Sequence, residues 1–336
     1  MGFRDLIACI DGTWNSGSEG SNVQRIHDAL LNDGGRQTAL YLTGVGTRGY
    51  SDRIIGGLWG GGSTARVRSV YRSICENYEA GDRISLFGFS RGAFAARVVA
   101  GLIQRLGILP RDQLHHIDAA ISMFWTRRSS AANDLRTFAR ERRAREAAIH
   151  FLGLWDTVVR HGPALAPVAW AIETSLNRRF GLSDQSAAAN MISIAHALAL
   201  DEDRAAFTPW RIRPRTDTER ISIEEAWFAG SHSDVGGGYV ESRASECSLV
   251  WIAERARSWG LVFQDDRLPR PDTSACTAAL HPGRRGVWRL LPSQKRIVLE
   301  SDRLHESVFE RMRATGYRPL ARIRSQTLVQ EAAMRG

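Results

Sequence analysis

Short apolar runs alternate with polar or glycine-rich turns along most of the chain. Leu6 to Ile10, Ala39 to Leu42, Ile84 to Phe87, Ile149 to Leu154 and Ala226 to Ala229 have the length and texture of buried strands. Between them, apolar positions recur at helical spacing. Val67, Val70, Tyr71, Ile74 and Tyr78 follow Ser63 and Thr64, either of which can cap a helix. An alanine-rich stretch from Ala93 to Leu106 ends at Gly107 and Pro110, the usual way a helix stops. Met191, Ile194 and Leu198 fit a helical period and are read as a further helix. Helices are also expected over 245–259 and 303–314, with irregular chain over 264–300 around Pro269, Pro271 and Pro282.

Strand, polar loop and helix recur in that order. This pattern predicts an α/β fold with a mostly parallel sheet and helices on both faces. No repeat or linker divides it, so 1–336 is read as one domain with loop and helical insertions. One insertion, 161–185, carries Pro163, Pro167 and the apolar patch Val168 to Ile172, and is expected to form a small cap. Sheets of this kind gather their chemistry at the carboxyl ends of the strands. Asp11, Gly44, Ser90, Asp156 and His232 all fall there.

The densest chemical signal is Gly88-Phe89-Ser90-Arg91-Gly92, set between a buried strand and a small-residue helix. That is the G-x-S-x-G pattern of a nucleophile elbow, which makes the fold α/β-hydrolase-like. A serine in so tight a turn presents its hydroxyl above the sheet edge. The amide of Arg91, at the helix N-terminus, can then meet a developing oxyanion. Gly88 and Gly92 are expected because a Cβ would crowd the strand and helix. Serine needs a histidine base, and the base needs a carboxylate to fix its tautomer. The order Ser90, Asp156, His232 supplies all three. His305 is the alternative base. Asp234 could order the loop after His232 or hold a cation. The loop Asp11-Gly12-Thr13 is read as supplying a second oxyanion amide, with an Asx-type turn as the plainer reading. Its phosphatase-like look fails because Cys9 stands where the nucleophilic aspartate belongs. The glycines at 60–62 are followed by Ser63 where a P-loop needs lysine.

Bulk properties narrow the classes. Hydrophobic and charged contents of 43% and 24% are those of a globular protein. No apolar run is long enough to span a membrane, and the first residues lack a signal-peptide core, so synthesis and folding in the cytoplasm are expected. Export would need a signal-less secretion system. Cys9, Cys75, Cys247 and Cys276 are scattered and read as reduced thiols. No histidine pair has zinc-site spacing, so neither metal nor cofactor is expected. The net charge is +9, and of the 45 basic residues only Lys295 is lysine. Such an arginine bias fits either a compositional background or peripheral contact with an anionic membrane. The densest cluster, Arg136 to Arg145, lacks interleaved aromatics beyond Phe138, and no nucleic-acid partner is expected.

Six motifs together carry a family resemblance. They are Ile10-Asp11-Gly12-Thr13-Trp14-Asn15, Gly44-Val45-Gly46-Thr47, Gly88-Phe89-Ser90-Arg91-Gly92-Ala93-Phe94, Gly153-Leu154-Trp155-Asp156-Thr157-Val158, Ala197-Leu198-Ala199-Leu200-Asp201-Glu202 and Trp227 through Tyr239. In that order, over about residues 3–315, the chain resembles the catalytic domain of the type VI secretion phospholipase effectors, formerly an uncharacterised α/β hydrolase domain. The resemblance implies hydrolysis of phospholipid or other carboxylic esters through Ser90, Asp156 and His232. It implies a lipid or small ester as substrate. A catalytically inactive binding or regulatory module of the same fold is the alternative.

Overall fold

The computed structural model describes residues 3–12, 20–43, 61–125, 131–158, 191–212, 221–290 and 292–324. Why Leu6 to Ile10 of its first strand are apolar is plain from their place. β1 (Asp5–Ile10) is paired on both edges and covered on both faces, and all six residues are buried. Leu6, Ala8 and Ile10 point into one apolar cluster, and Ile7 and Cys9 into another. The first cluster is closed by α2 (Gly61–Asn77), α3 (Arg91–Leu106), α4 (Ile117–Trp125) and α5 (Ala131–Glu141). The second is closed by α1 (Asn22–Ala29) and, further along, the helix Glu246–Ser258. Helices therefore cover both faces of the sheet.

The remaining strands are β2 (Gln37–Leu42), β3 (Arg83–Phe89), β4 (Ile149–Trp155), β5 (Met191–Ala199), β6 (Ser222–Phe228), β7 (Ile297–Val298), β8 (Arg303–Leu304) and β9 (Arg322–Ile323). Seven form one sheet in the order β2-β1-β3-β4-β5-β6-β8, every pair parallel. β7 and β9 pair separately. The last four helices are α6 (His232–Gly236), α7 (Glu246–Ser258), α8 (Thr273–Thr277) and α9 (Glu306–Thr315). The sheet is thus the mostly parallel, α/β-hydrolase-like one expected, with the serine strand β3 near its centre.

One expectation is corrected. The segment read as a helix from Met191, Ile194 and Leu198 is β5, the strand between β4 and β6. His232 therefore follows the second strand after Asp156, not the next one. A strand buried on both faces shows no period of two, and its alanines imitate a helix. The segment over 264–300 also contains α8 and β7, and β8 precedes α9. The 161–185 insertion, Gly44 and Thr13 lie outside the described residues.

The strand–helix turn at Ser90 is as tight as the glycines require. A Cβ on Gly88 would stand 2.6 Å from Ala93 Cα. One on Gly92 would overlap the carbonyl oxygen of Ile10 and lie 2.7 Å from that of Asp11. Both obstacles are backbone, so neither can swing aside. Gly92→Ala is expected to cost about 3 kcal/mol or more by overpacking, read as a lower urea midpoint. An unchanged midpoint would mean that α3 and β1 do not approach this closely.

Candidate active site

The site is built where the sheet's carboxyl edge ends. β3 and β4 run in register from Leu86 and Leu152 to Phe89 and Trp155, and β4 and β5 continue the alignment to Ala197. The ladder extends one residue past each strand. Ser90 N donates to Trp155 O at 3.0 Å, and Asp156 N donates to Ala197 O at 2.7 Å. Ser90 and Asp156 consequently sit on adjacent strand ends. Both have positive φ, 59° and 38°. Such backbone costs on the order of 1–3 kcal/mol per residue and gathers at working sites.

His232 arrives from the far side. Leu200 N bonds Phe228 O, and Asp201 N bonds Gly230 O, which carries the β6 end past β5. Gly230, at φ 103°, turns the chain where a Cβ would lie 2.5 Å from Asp234 Cβ. His232 opens α6, a helix closed by a capping box of Ser231 and Asp234. Its ring packs on Phe89, the residue before Ser90, at 4.6 Å between centroids, with Phe207 edge-on at 5.0 Å. Its Nδ1 faces Asp156 Oδ2 at 2.5 Å. The carboxylate therefore selects the tautomer with its hydrogen on Nδ1. The backbone N–H of His232 donates to Glu202 Oε2 at 3.2 Å, and Glu202 pairs with Arg204.

Asp156 is fully buried, yet both of its oxygens are bonded. Oδ1 accepts from Ala199 N at 3.1 Å and from Arg296 Nη1. Oδ2 accepts from His232 Nδ1 and from Arg296 Nη2, the latter at 2.8 Å. Burial pushes the carboxyl upward, but the Arg296 guanidinium and His232 override it and hold it well below the usual carboxylate range. Burial lowers the His232 imidazole, and attraction to Asp156 offsets only part of that. The His232 ring therefore takes up a proton less readily than a free imidazole.

The loop after β1 lies beside the serine. A Cβ on Gly12 would stand 3.6 Å from Ser90 Cβ. The Asp11 carboxylate is occupied by Ser21 Oγ at 2.5 Å, Tyr41 Oη at 2.6 Å and its neighbour Gly12 N at 2.6 Å, while Arg66 Nη1 holds its carbonyl. Asp11 therefore anchors the loop; its bond to Gly12 N reaches only the next residue, whereas an Asx turn would close on Thr13, outside the described residues. Arg91 is the first residue of α3, where helix N–H groups have no intrahelical acceptor.

The other candidates are placed elsewhere. Asp234 receives Ser231 N, Ser231 Oγ, His281 N and His281 Nδ1, so it orders the loop after Gly230. His305 caps α9, and its ring stacks on Phe228 at 4.5 Å with Nδ1 on Ser307. It lines a cavity of about 320 Å³ with Cys247, Cys276 and Glu310. Burial, with Arg255 and Arg303 nearby, lowers it to about 4. His196 is a buried strand residue held by Glu225 and Thr157, next to Asp156. Cys247 and Cys276 are free thiols 3.4 Å apart. Among the described residues no three His, Cys, Asp or Glu side chains group as metal ligands, and no helix is long and apolar enough to cross a membrane.

Sequence reading missed Arg296, Arg204 and Phe207. Glu202 did stand inside a recognised motif, Ala197 through Glu202, which was the available signal. Arg296 had none, since nothing distinguishes one arginine in a proline-rich stretch from its many neighbours.

An uncharacterized protein of Saccharomyces cerevisiae is 29% identical over 238 residues, covering 61% of this chain and 32% of its own length. Among solved structures, an uncharacterized protein from Pseudomonas aeruginosa has a TM-score of 0.47 at 20% identity, covering 81% of this chain and 48% of its own. The chain thus spans half or less of the length of both. A thermophilic esterase from Thermogutta terrifontis has a TM-score of 0.39 at 14% identity, over 77% of this chain and 84% of its own. Residues 4–255 match the family described as "T6SS, Phospholipase effector Tle1-like, catalytic domain", and the chain belongs to that family.

Proposed function

We propose that the chain is a serine hydrolase that cleaves carboxylic esters, with phospholipid acyl esters as the favoured substrates. The observation that carries this is the 2.5 Å bond from His232 to a buried carboxylate, on the same sheet edge as a strained serine. Family membership supports the lipid substrate.

Ser90 Oγ attacks the acyl carbonyl while His232 Nε2 takes its proton. Nδ1 stays on Asp156, which orients the ring and stabilises the imidazolium. The tetrahedral oxyanion is met by the Arg91 amide at the head of α3. The amides of Asp11 and Gly12 are already held by Leu42 O and Asp11 Oδ1, so the second donor expected from this loop falls to residues beyond Gly12, outside the described ones. Collapse expels the alcohol, which receives the proton from His232, and leaves an acyl group on Ser90. Water, deprotonated by the same imidazole, releases the acid and restores the serine. The arginine-rich surface suits peripheral contact with an anionic membrane, and the family suits delivery by secretion.

A fluorophosphonate probe is expected to label the wild type at Ser90. Absence of label, with no turnover of p-nitrophenyl butyrate or liposomal phospholipid, would favour the inactive binding module instead. His305→Gln is expected to leave ester turnover unchanged. Loss of activity in a folded His305→Gln protein would move the base from His232 to His305. Because the folded His232 is shifted down, turnover should persist below the ordinary histidine value of about 6.5 and fall as pH drops through the lowered one. A pH–rate profile with its acidic limb above that value would contradict the assignment.

A further inference from the structure

We propose that Arg296 is a positioning residue of this site, a buried guanidinium that clamps Asp156 against His232 and sets the charge balance of the pair. The proposal rests on the reading of Ser90, His232 and Asp156 as nucleophile, base and acid.

The geometry is that of a clamp. Arg296 reaches both oxygens of Asp156, through Nη1 to Oδ1 and through Nη2 to Oδ2 at 2.8 Å. The guanidinium is itself fixed, with Nη1 on Ala199 O and Nη2 on Phe207 O, both at 2.9 Å. Its side chain is 2% exposed and that of Asp156 is 0%. With Ala199 N and His232 Nδ1 added, each oxygen of Asp156 accepts two donors. The carboxylate cannot rotate without losing several of them. Oδ2 is therefore held where Nδ1 needs it before any substrate binds. A lysine could supply the charge but not two parallel N–H bonds.

The cation also alters what the carboxylate does to the imidazole. An unopposed buried aspartate would draw a proton strongly onto His232. Arg296, bonded to both oxygens of that carboxylate, opposes this pull, as Arg204 does, so the ring releases its proton more readily and stays a competent base at lower pH. Other charged groups face the pair. Glu202, on the loop after β5, accepts from His232 N and is paired with Arg204. His196 of β5 lies behind Thr157 and is paired with Glu225. None of the four bonds to Arg296, although its charge also acts on Glu202.

The test compares wild type, Arg296→Lys and Arg296→Met for kcat and KM on p-nitrophenyl butyrate from about pH 4 to 9. Fluorophosphonate labelling of Ser90 and thermal unfolding accompany each. Arg296→Met should lose on the order of 10²-fold in kcat with little change in KM, because a misplaced base slows chemistry rather than binding. Its acidic limb should rise by about 1 pH unit. Arg296→Lys should keep the wild-type limb, since the charge remains, yet lose kcat, since the fork is gone. A folded Arg296→Met with wild-type kcat and limb overturns the proposal. If that variant does not fold, a folded Arg296→Lys with wild-type kcat overturns it equally. A kcat loss in both with no movement of the limb in Arg296→Met leaves only a packing role and refutes the charge balance. Failure of the underlying triad reading looks different, since wild type would then resist the probe altogether.

Discussion

Ser90→Ala is expected to lower kcat on p-nitrophenyl esters by on the order of 10⁶, as in other enzymes that lose a triad nucleophile. The change removes one oxygen and little else. Alanine can occupy the turn at φ 59° about as well as serine, and no side-chain cap bond of Ser90 is lost at the head of α3. Thermal stability should therefore match the wild type, which makes the experiment clean. Residual turnover should reflect only the oxyanion amides and substrate binding, roughly 10³–10⁴ above water. Near-normal turnover in this variant would remove Ser90 from the chemistry, whatever its geometry.

Asp156→Asn should fail in two ways at once. An asparagine is isosteric, so the backbone at φ 38° need not move. Its amide group, however, has no acceptable orientation. Arg296 reaches both oxygens of the native carboxylate, so either placement of the NH₂ sets N–H groups against guanidinium N–H groups. Placed toward His232, it also offers a donor to Nδ1 and selects the wrong tautomer. A kcat loss of about 10⁴ is expected, the size seen when a triad aspartate is so replaced. Stability should fall as well, by roughly 3–5 kcal/mol, because a buried guanidinium loses its counter-charge. Urea unfolding beside steady-state kinetics would read both. Full stability in Asp156→Asn would show that Arg296 does not depend on this carboxylate.

The parallel sheet could be read from the chain because its strands are covered twice over and so appear as unbroken apolar runs. The same physics hid β5. Met191 through Ala199 is rich in alanine and carries a buried histidine, and its apolar positions happen to match a helical period. What makes it a strand is its place between β4 and β6, which no local window contains. The elbow was legible because its turn demands particular glycines. Asp156 and His232 could be placed at the sheet's carboxyl edge because each follows an apolar run, although the unrecognised β5 lies between those two strands. Arg296 was not, because its role comes from a contact 140 residues away in sequence. The loop after β1 was half legible. Its aspartate turned out to be the anchor, bonded by Ser21 and Tyr41, while its neighbour Gly12 lies beside the serine.

Arg296 enters the site from well beyond residue 255, where the family match stops. The same stretch brings Tyr317 Oη and Leu320 N onto Asp201, which in turn holds Gly230 N just ahead of His232. A gene shortened at the match boundary would encode a sheet in which Asp156 has lost its counter-ion and the loop before His232 has lost its tether. A truncation that keeps these contacts intact therefore reaches at least to Leu320, and chimeras that exchange this sheet should place their junction after it.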